Sequence, residues 1–349
     1  MIELKQGNIL EADAEALVNT VNCVGVMGKG IALQFKQAFP DNFRHYEKAC
    51  RANEVQPGRM FVVATGRLLN PKYIINFPTK RHWKGKSQIE DIRIGLKALI
   101  KEVKHLDIRS IAVPPLGCGN GGLDWVNVKP LIESAFTELP DVQVLLFTPQ
   151  SAPTADAMPI GTEKPRMTRA RALLISLLEL YGIPGYRLSL LEIQKLAYFL
   201  QVDGEPLQLR YVKYKYGPYA DNLHYALQRL EGHYIRGYGD RTEQAQIYLL
   251  PGAKEAAQAF LANTPEAGER LERVRRLIEG FETPYGMELL ATEHWVVQED
   301  PKAATDPEHA VIGVHKWSER KRQLFKPAHI RKAWQRLHEQ NWLATAKSQ

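Results

Sequence analysis

Over residues 1–150 two hydrophobic periods take turns along the chain. Short apolar runs at Ile2 to Lys5, Ala16 to Val21, Met60 to Thr65, Tyr73 to Phe77, Ile111 to Pro115 and Val142 to Thr148 read as buried strands. Between them lie longer stretches with helical spacing. That rhythm restricts the fold to an α/β layer, in which helices cover a sheet. The clearest helix is expected to begin at Ser87, where Ser-Gln-Ile-Glu has capping-box spacing, and to turn Ile89, Ile92, Leu96, Leu99, Ile100 and Val103 toward the core.

The rhythm stops at Pro149. From there to Arg169 the chain is rich in Pro, Ala, Ser and Thr and has no apolar period, which marks a linker over 151–169. With 349 residues there is length for a second domain. It is expected over 170–349, mainly helical, with patterns at 170–181, 189–200, 219–230, 265–281 and 328–339, and a small β element at 207–216 and 246–250.

Charge narrows the partners only a little. Residues 1–150 carry 19 basic and 15 acidic side chains and the remainder 27 and 24, for a net +7, a mild bias toward polyanionic or phosphorylated partners. Cys23, Cys50 and Cys118 are scattered and odd in number, which implies neither a disulfide framework nor a zinc site, and suits reduced cytoplasm. The start, Met-Ile-Glu-Leu-Lys-Gln, is not a signal sequence, and the apolar stretch Ala172 to Leu180 is too short to span a bilayer. A soluble, cytoplasmic protein without membrane partner, metal or cofactor is the expectation.

Two glycine loops follow strands. In "NTVNCVGVMGKGIALQFK", Gly28 and Gly30 let backbone approach a ligand where a helix begins near Ile31 with unpaired N–H groups. In "PPLGCGNGGLDW", Gly117, Gly119, Gly121 and Gly122 form a side-chain-poor loop able to close over the same phosphates. Either loop alone is an ordinary tight turn, whereas both at strand ends point to a nucleotide-like ligand. Neither is a P-loop, since Lys29 is not followed by Ser or Thr.

Together, "QGNIL", "NTVNCVGVMGKGIALQFKQAFP", "YIINFPTK" and "IAVPPLGCGNGGLDW" resemble, in order and across residues 1–150, a macrodomain of the class that hydrolyses ADP-ribose conjugates. The "NFPTK" element is similar to the lysine-using subgroup, in particular the bacterial DarG-type antitoxins. These remove ADP-ribose that the partner toxin DarT places on thymidine in single-stranded DNA. The resemblance implies Lys80 as the catalytic residue. For ADP-ribose it implies Asn8, Ile9, Thr20 and Asn22, then Gly28, Gly30, Ile31 and Ala32 in the first loop, Thr79, and Pro115, Leu116, Gly117, Cys118, Gly119, Asn120, Gly121 and Gly122 around the second. Asn8 stands where most macrodomains have an aspartate for the adenine amino group; its amide oxygen still accepts a hydrogen bond, without the charge.

One departure bears on mechanism. Lysine-dependent relatives that act on protein carboxylates have an aspartate where this chain has Gly121; Asp124, three residues on, reads equally as a helix N-cap or as a catalytic acid. Lys80 itself admits two roles: an amine that attacks the anomeric carbon, or an ammonium that stabilises or protonates the leaving base. Beyond it, Arg81, His82, Trp83, Lys84 and Lys86 are either a solvated loop with one tryptophan anchored in the core, or a surface for single-stranded DNA.

In the second domain, "SLLEIQKLAYFLQ" and "YVKYKYGPYADNLHYALQRL" resemble the Panacea or SocA-like antitoxin domain over about residues 170–240, which implies a module that neutralises the toxin by binding it. Two other functions remain open: an ADP-ribose reader without turnover, and a DNA-binding regulator responsive to ADP-ribose, for which "HKWSERKRQLFKPAHIRKAWQRL" is the basic candidate.

Overall fold

Ile2–Lys5 (β1), Ala16–Asn22 (β2), Phe61–Ala64 (β3), Tyr73–Lys80 (β4), Ser110–Val113 (β5) and Gln143–Phe147 (β6) join in one sheet, ordered β1-β6-β5-β2-β4-β3. All neighbours are parallel except β3, which runs antiparallel on the outer side of β4. The computed structural model describes residues 1–149, 155–181, 185–239 and 245–343, and the chain divides near residue 163 into two compact units.

The first unit is the expected α/β layer. Helices Gly30–Ala38 (α1), Pro40–Arg51 (α2), Ile89–His105 (α3) and Trp125–Phe136 (α4) pack on the sheet. Successive strand residues face opposite sides. Val18, Ile75 and Phe77 therefore meet Ile92, Leu96 and Leu99 of α3 and Val128 and Ile132 of α4, while Leu17 and Ile74 meet Phe35 of α1. Burial on both faces is why these strands read as continuous apolar runs.

Two local expectations change. Strand β4 runs on to Lys80 instead of ending at Phe77. A proline commonly ends a strand, but β3 pairs with β4 only as far as Asn76, so Pro78 lies where β4 has β2 as its one neighbour and its missing N–H goes unneeded. Ser87 forms no capping box: α3 starts at Ile89 with Gln88 as an uncapped N-cap, because Ser87 is committed to the second glycine loop, its N–H donating to the Gly121 carbonyl at 3.0 Å.

Of the segment expected to link the domains, residues 150–154 lie outside the described residues. Residues 155–163 belong to the first unit, where Met158 is buried and the Gly161 N–H donates to the Gln37 carbonyl at 2.8 Å.

The second unit encloses its own apolar cluster and is mainly helical. Helices Arg169–Glu179, Leu190–Val202, Pro265–Ile278 and Pro327–Glu339 stand close to where periodicity put them. The helix expected from 219 begins at Leu223, since Gly217–Ala220 pairs with Tyr211–Tyr214 as a hairpin. The other β element joins Leu188–Ser189, Gln246–Leu249 and Ile235–Arg236. The Gln194-Lys195 motif clamps the hairpin: the Gln194 amide exchanges two 3.0 Å hydrogen bonds with the backbone of Ala220, and Lys195 Nζ donates to the Pro218 carbonyl at 2.7 Å. Among the described residues, no helix is long and apolar enough to cross a membrane.

Candidate active site

Parallel strands bring their C-terminal ends to one edge of a sheet, and in open α/β folds that edge is where ligands bind. Here β2, β4 and β5 lead into the three segments singled out in the sequence. Lys80, the last residue of β4, pairs with Asn22, the last of β2. The ladder runs in step as far as Val21 and Pro78 and then shifts, leaving Thr79 as an extra residue. A bulge of this kind re-aims the side chain that follows it.

The Lys80 ammonium donates to the carbonyl oxygen of Asn120 in the second glycine loop. Burial lowers its pKa from the ordinary lysine value, and no carboxylate pairs with it among the described residues to reverse that shift. Asn120 also meets the first loop. Gly30 opens α1 with φ +60°, where a side chain is strained, and a Cβ there would lie 2.9 Å from Asn120 Nδ2, so the two loops touch. The first turn of α1 has no side-chain cap, which leaves its N–H groups for an anion.

Gly121 is the most constrained of the loop glycines. A Cβ would fall 2.2 Å from the Gly117 carbonyl oxygen and 2.3 Å from Ser87 Oγ. No aspartate fits at this position, and the missing carboxylate is a property of the loop's packing. Asp124 is an N-cap of α4, exposed, its Oδ1 accepting from the Val126 N–H at 3.0 Å.

Asn22 is buried, and its side chain shapes the turn after β2: Oδ1 accepts from Val24 N–H at 3.0 Å and Val26 N–H at 3.3 Å, while Tyr46 donates to the Asn22 carbonyl at 2.6 Å. Asn8 Oδ1 accepts from the Leu10 N–H at 3.1 Å, and its amide nitrogen donates to Glu11 Oε1 at 3.1 Å and the Ala157 carbonyl at 3.2 Å. Ile9 sits in the core with Leu17 and Phe35. Thr20, Gly28, Ile31, Ala32, Pro115 and Cys118 are half-buried, Thr79 and Leu116 buried, and Gly119 and Gly122 exposed. The contacts thus gather Lys80, Asn22, Gly30, Asn120 and Gly121 about one strand edge; no hydrogen bond among the described residues links Asn8 or Asp124 to that group.

Burial pushes the Cys23 and Cys118 thiols up to about 11, so neither supplies a thiolate at neutral pH. Lys80 is thus the basic side chain at this edge whose pKa burial brings toward neutrality. Among the described residues no three His, Cys, Asp or Glu side chains gather as a metal centre requires.

The sequence reading missed a buried asparagine network that ties together the strands leading to the site. Asn76 of β4 accepts on Oδ1 from Asn19 of β2 at 3.0 Å and from Asn42 of α2 at 3.2 Å, and donates to Asn42 Oδ1 at 2.7 Å and the Phe61 carbonyl at 3.1 Å. The available signal was an asparagine inside each of two apolar runs, where a polar side chain needs partners.

Residues 18–132 match the Macro domain family. The DNA ADP-ribosyl glycohydrolase of Thermus aquaticus is 50% identical over 333 residues, which are 95% of this chain and 92% of that protein. The protein of that description from Mycobacterium tuberculosis is 44% identical over 354 residues, 97% of this chain and 99% of its own length. Among solved structures, the macrodomain of Mycobacterium tuberculosis DarG is 58% identical over 43% of this chain and 99% of that one, with a TM-score of 0.43. Identity at the level of the two full-length relatives, running through both units, makes this chain a member of the DNA ADP-ribosyl glycohydrolase family.

Proposed function

We propose that the chain is a cytoplasmic antitoxin that cuts ADP-ribose from thymidine in single-stranded DNA, with Lys80 as the reacting group, and that its second unit binds and inhibits the toxin DarT. The observation that carries the reading is a half-buried lysine of lowered pKa, set at a strand edge against a glycine loop that touches a second one. The loops' N–H groups hold the diphosphate. The Lys80 amine attacks the anomeric carbon of the distal ribose; the bond to the thymine ring nitrogen breaks and its electron pair leaves with the base. Water then adds to the same carbon, its hydroxyl going to free ADP-ribose and its remaining proton to the thymine anion, and the lysine departs as the amine. A delocalised base anion leaves with little help from an acid, which suits a loop that has no room for a carboxylate at 121.

The test is incubation of the full chain with single-stranded DNA ADP-ribosylated on thymidine, following release of ADP-ribose and of unmodified DNA. Lys80→Ala is expected to lose turnover by on the order of a hundredfold or more, with ADP-ribose affinity little changed. Binding without release by the unaltered protein is the signature of a reader and would overturn the proposal.

A further inference from the structure

The loop that leaves β4 holds a large aromatic ring in solvent. Trp83 is 49% exposed, so it is no core anchor. The His82 ring lies 5.6 Å from it at an interplanar angle of 29°, and Lys84 Nζ is 5.0 Å from its centroid. The loop has a built shape. Arg81 forks onto buried Asp91 in the first turn of α3, with contacts of 3.1 and 3.3 Å, and the Gly85 N–H closes a turn on the His82 carbonyl at 3.0 Å. Arg81's charge is thereby neutralised. Lys84 and Lys86 are exposed and pair with no carboxylate among the described residues.

Trp83 stands three positions beyond Lys80, a backbone reach of at most about 11 Å. A half-exposed aromatic ring flanked by cations that lack carboxylate partners is the combination that holds single strands: bases stack on the ring and phosphates meet the charges. We propose that the 81–86 loop is a single-strand platform, in which Trp83 stacks on the nucleobase next to the ADP-ribosylated one and Lys84 and Lys86 meet the flanking phosphates. The inference rests on the reading of Lys80 as the reacting group, and adds that the enzyme grips the DNA strand as well as the ADP-ribose. Because every base has a π-face, a platform of this kind tolerates any neighbouring base.

Steady-state hydrolysis by the full chain on two substrates tests it: a single-stranded oligonucleotide carrying ADP-ribosylated thymidine, and the ADP-ribosylated nucleoside without neighbours. Trp83→Ala is expected to raise KM for the oligonucleotide roughly 5- to 150-fold, the equivalent of about 1–3 kcal/mol of stacking, and to leave the nucleoside within about twofold. Trp83→Phe should recover most of the loss. Replacing Lys84 and Lys86 together by alanine should flatten the salt dependence of oligonucleotide binding by about 1.4 in log–log slope, some 0.7 per phosphate. An unchanged oligonucleotide KM in a Trp83→Ala protein of normal Tm overturns the platform and leaves the glycohydrolase standing. Equal losses on both substrates overturn it as well, since stacking on a neighbour acts on the strand alone. Weakened toxin binding with untouched oligonucleotide hydrolysis would make the loop a protein-docking surface, against the proposal. If the unaltered protein cleaves neither substrate, the Lys80 reading itself falls and takes the platform with it.

Discussion

At the scale of single residues, Lys80 and Gly121 divide the chemistry between what is present and what is excluded. Burial lowers the lysine's pKa, which increases the fraction of free amine at and above neutral pH. If the amine attacks, kcat/KM for ADP-ribosylated DNA rises with pH through that lowered pKa and levels off above it; if the ammonium acts, the profile falls over the same range. A pH profile distinguishes them, and Lys80→Arg, which keeps charge but has no free amine, should be nearly as inactive as Lys80→Ala. Gly121→Asp is expected to lose both Tm and ADP-ribose affinity, and to supply no useful acid, because its Cβ would strike the Gly117 carbonyl and Ser87. Calorimetry with ADP-ribose and a melting curve read both. The place of Lys80 beside the glycine loops was legible in the sequence because a motif carries it. That Gly121 admits no side chain was not, since the obstacles are the Gly117 carbonyl, brought close by the fold of the loop, and Ser87, distant along the chain.

Between elements, one sequence pattern has two outcomes. Ser189 and Glu192 form a full capping box on helix Leu190–Val202, whereas Ser87-Gln-Ile-Glu, with identical spacing, does not cap α3. Local pattern states what a serine can do, and the competing glycine loop decides at residue 87. Helix Pro284–Glu299 shows another limit: it is buried nearly all round, so it lacks the two-faced period by which amphipathic helices are recognised. It contributes buried Glu288, which takes Lys321 Nζ at 2.7 Å and Arg320 at 2.6 Å. Near this group lies Lys195, 2% exposed, whose pKa is pushed down to about 7 by burial first and by Lys321 second. A lysine depressed in the folded state binds fewer protons there than in the unfolded chain, where its pKa is about 10.4, so its destabilising effect is complete below about pH 7 and relieved as pH rises. The urea midpoint of the second unit should therefore climb between pH 7 and 9. Lys195→Met should reduce that climb, the remainder belonging to Lys321, whose own pKa burial lowers to about 8, while losing stability overall because the Pro218 carbonyl is left unpaired.

For the whole molecule, the decisive property is that each unit has its own apolar cluster, so each has what it needs to hold a function of its own. The composition changes after Pro149 whereas the chain divides near 163, since an apolar-poor segment gives no sign that Met158 and Gly161 pack on the first unit. ADP-ribose at about a hundred times its Kd adds roughly 2.7 kcal/mol to whatever it binds. If the site is the strand edge of the first unit, calorimetry on the full chain should show that unit's transition rising by roughly 5–10 °C, with the second unit's unmoved. The toxin should do the reverse, raising the second transition alone. Lys80→Ala then separates the two activities: it should form the toxin complex with unaltered affinity and still respond to ADP-ribose, yet leave ADP-ribosylated DNA uncut. If it loses the toxin as well, inhibition and hydrolysis share a surface and the division of labour between the units is wrong.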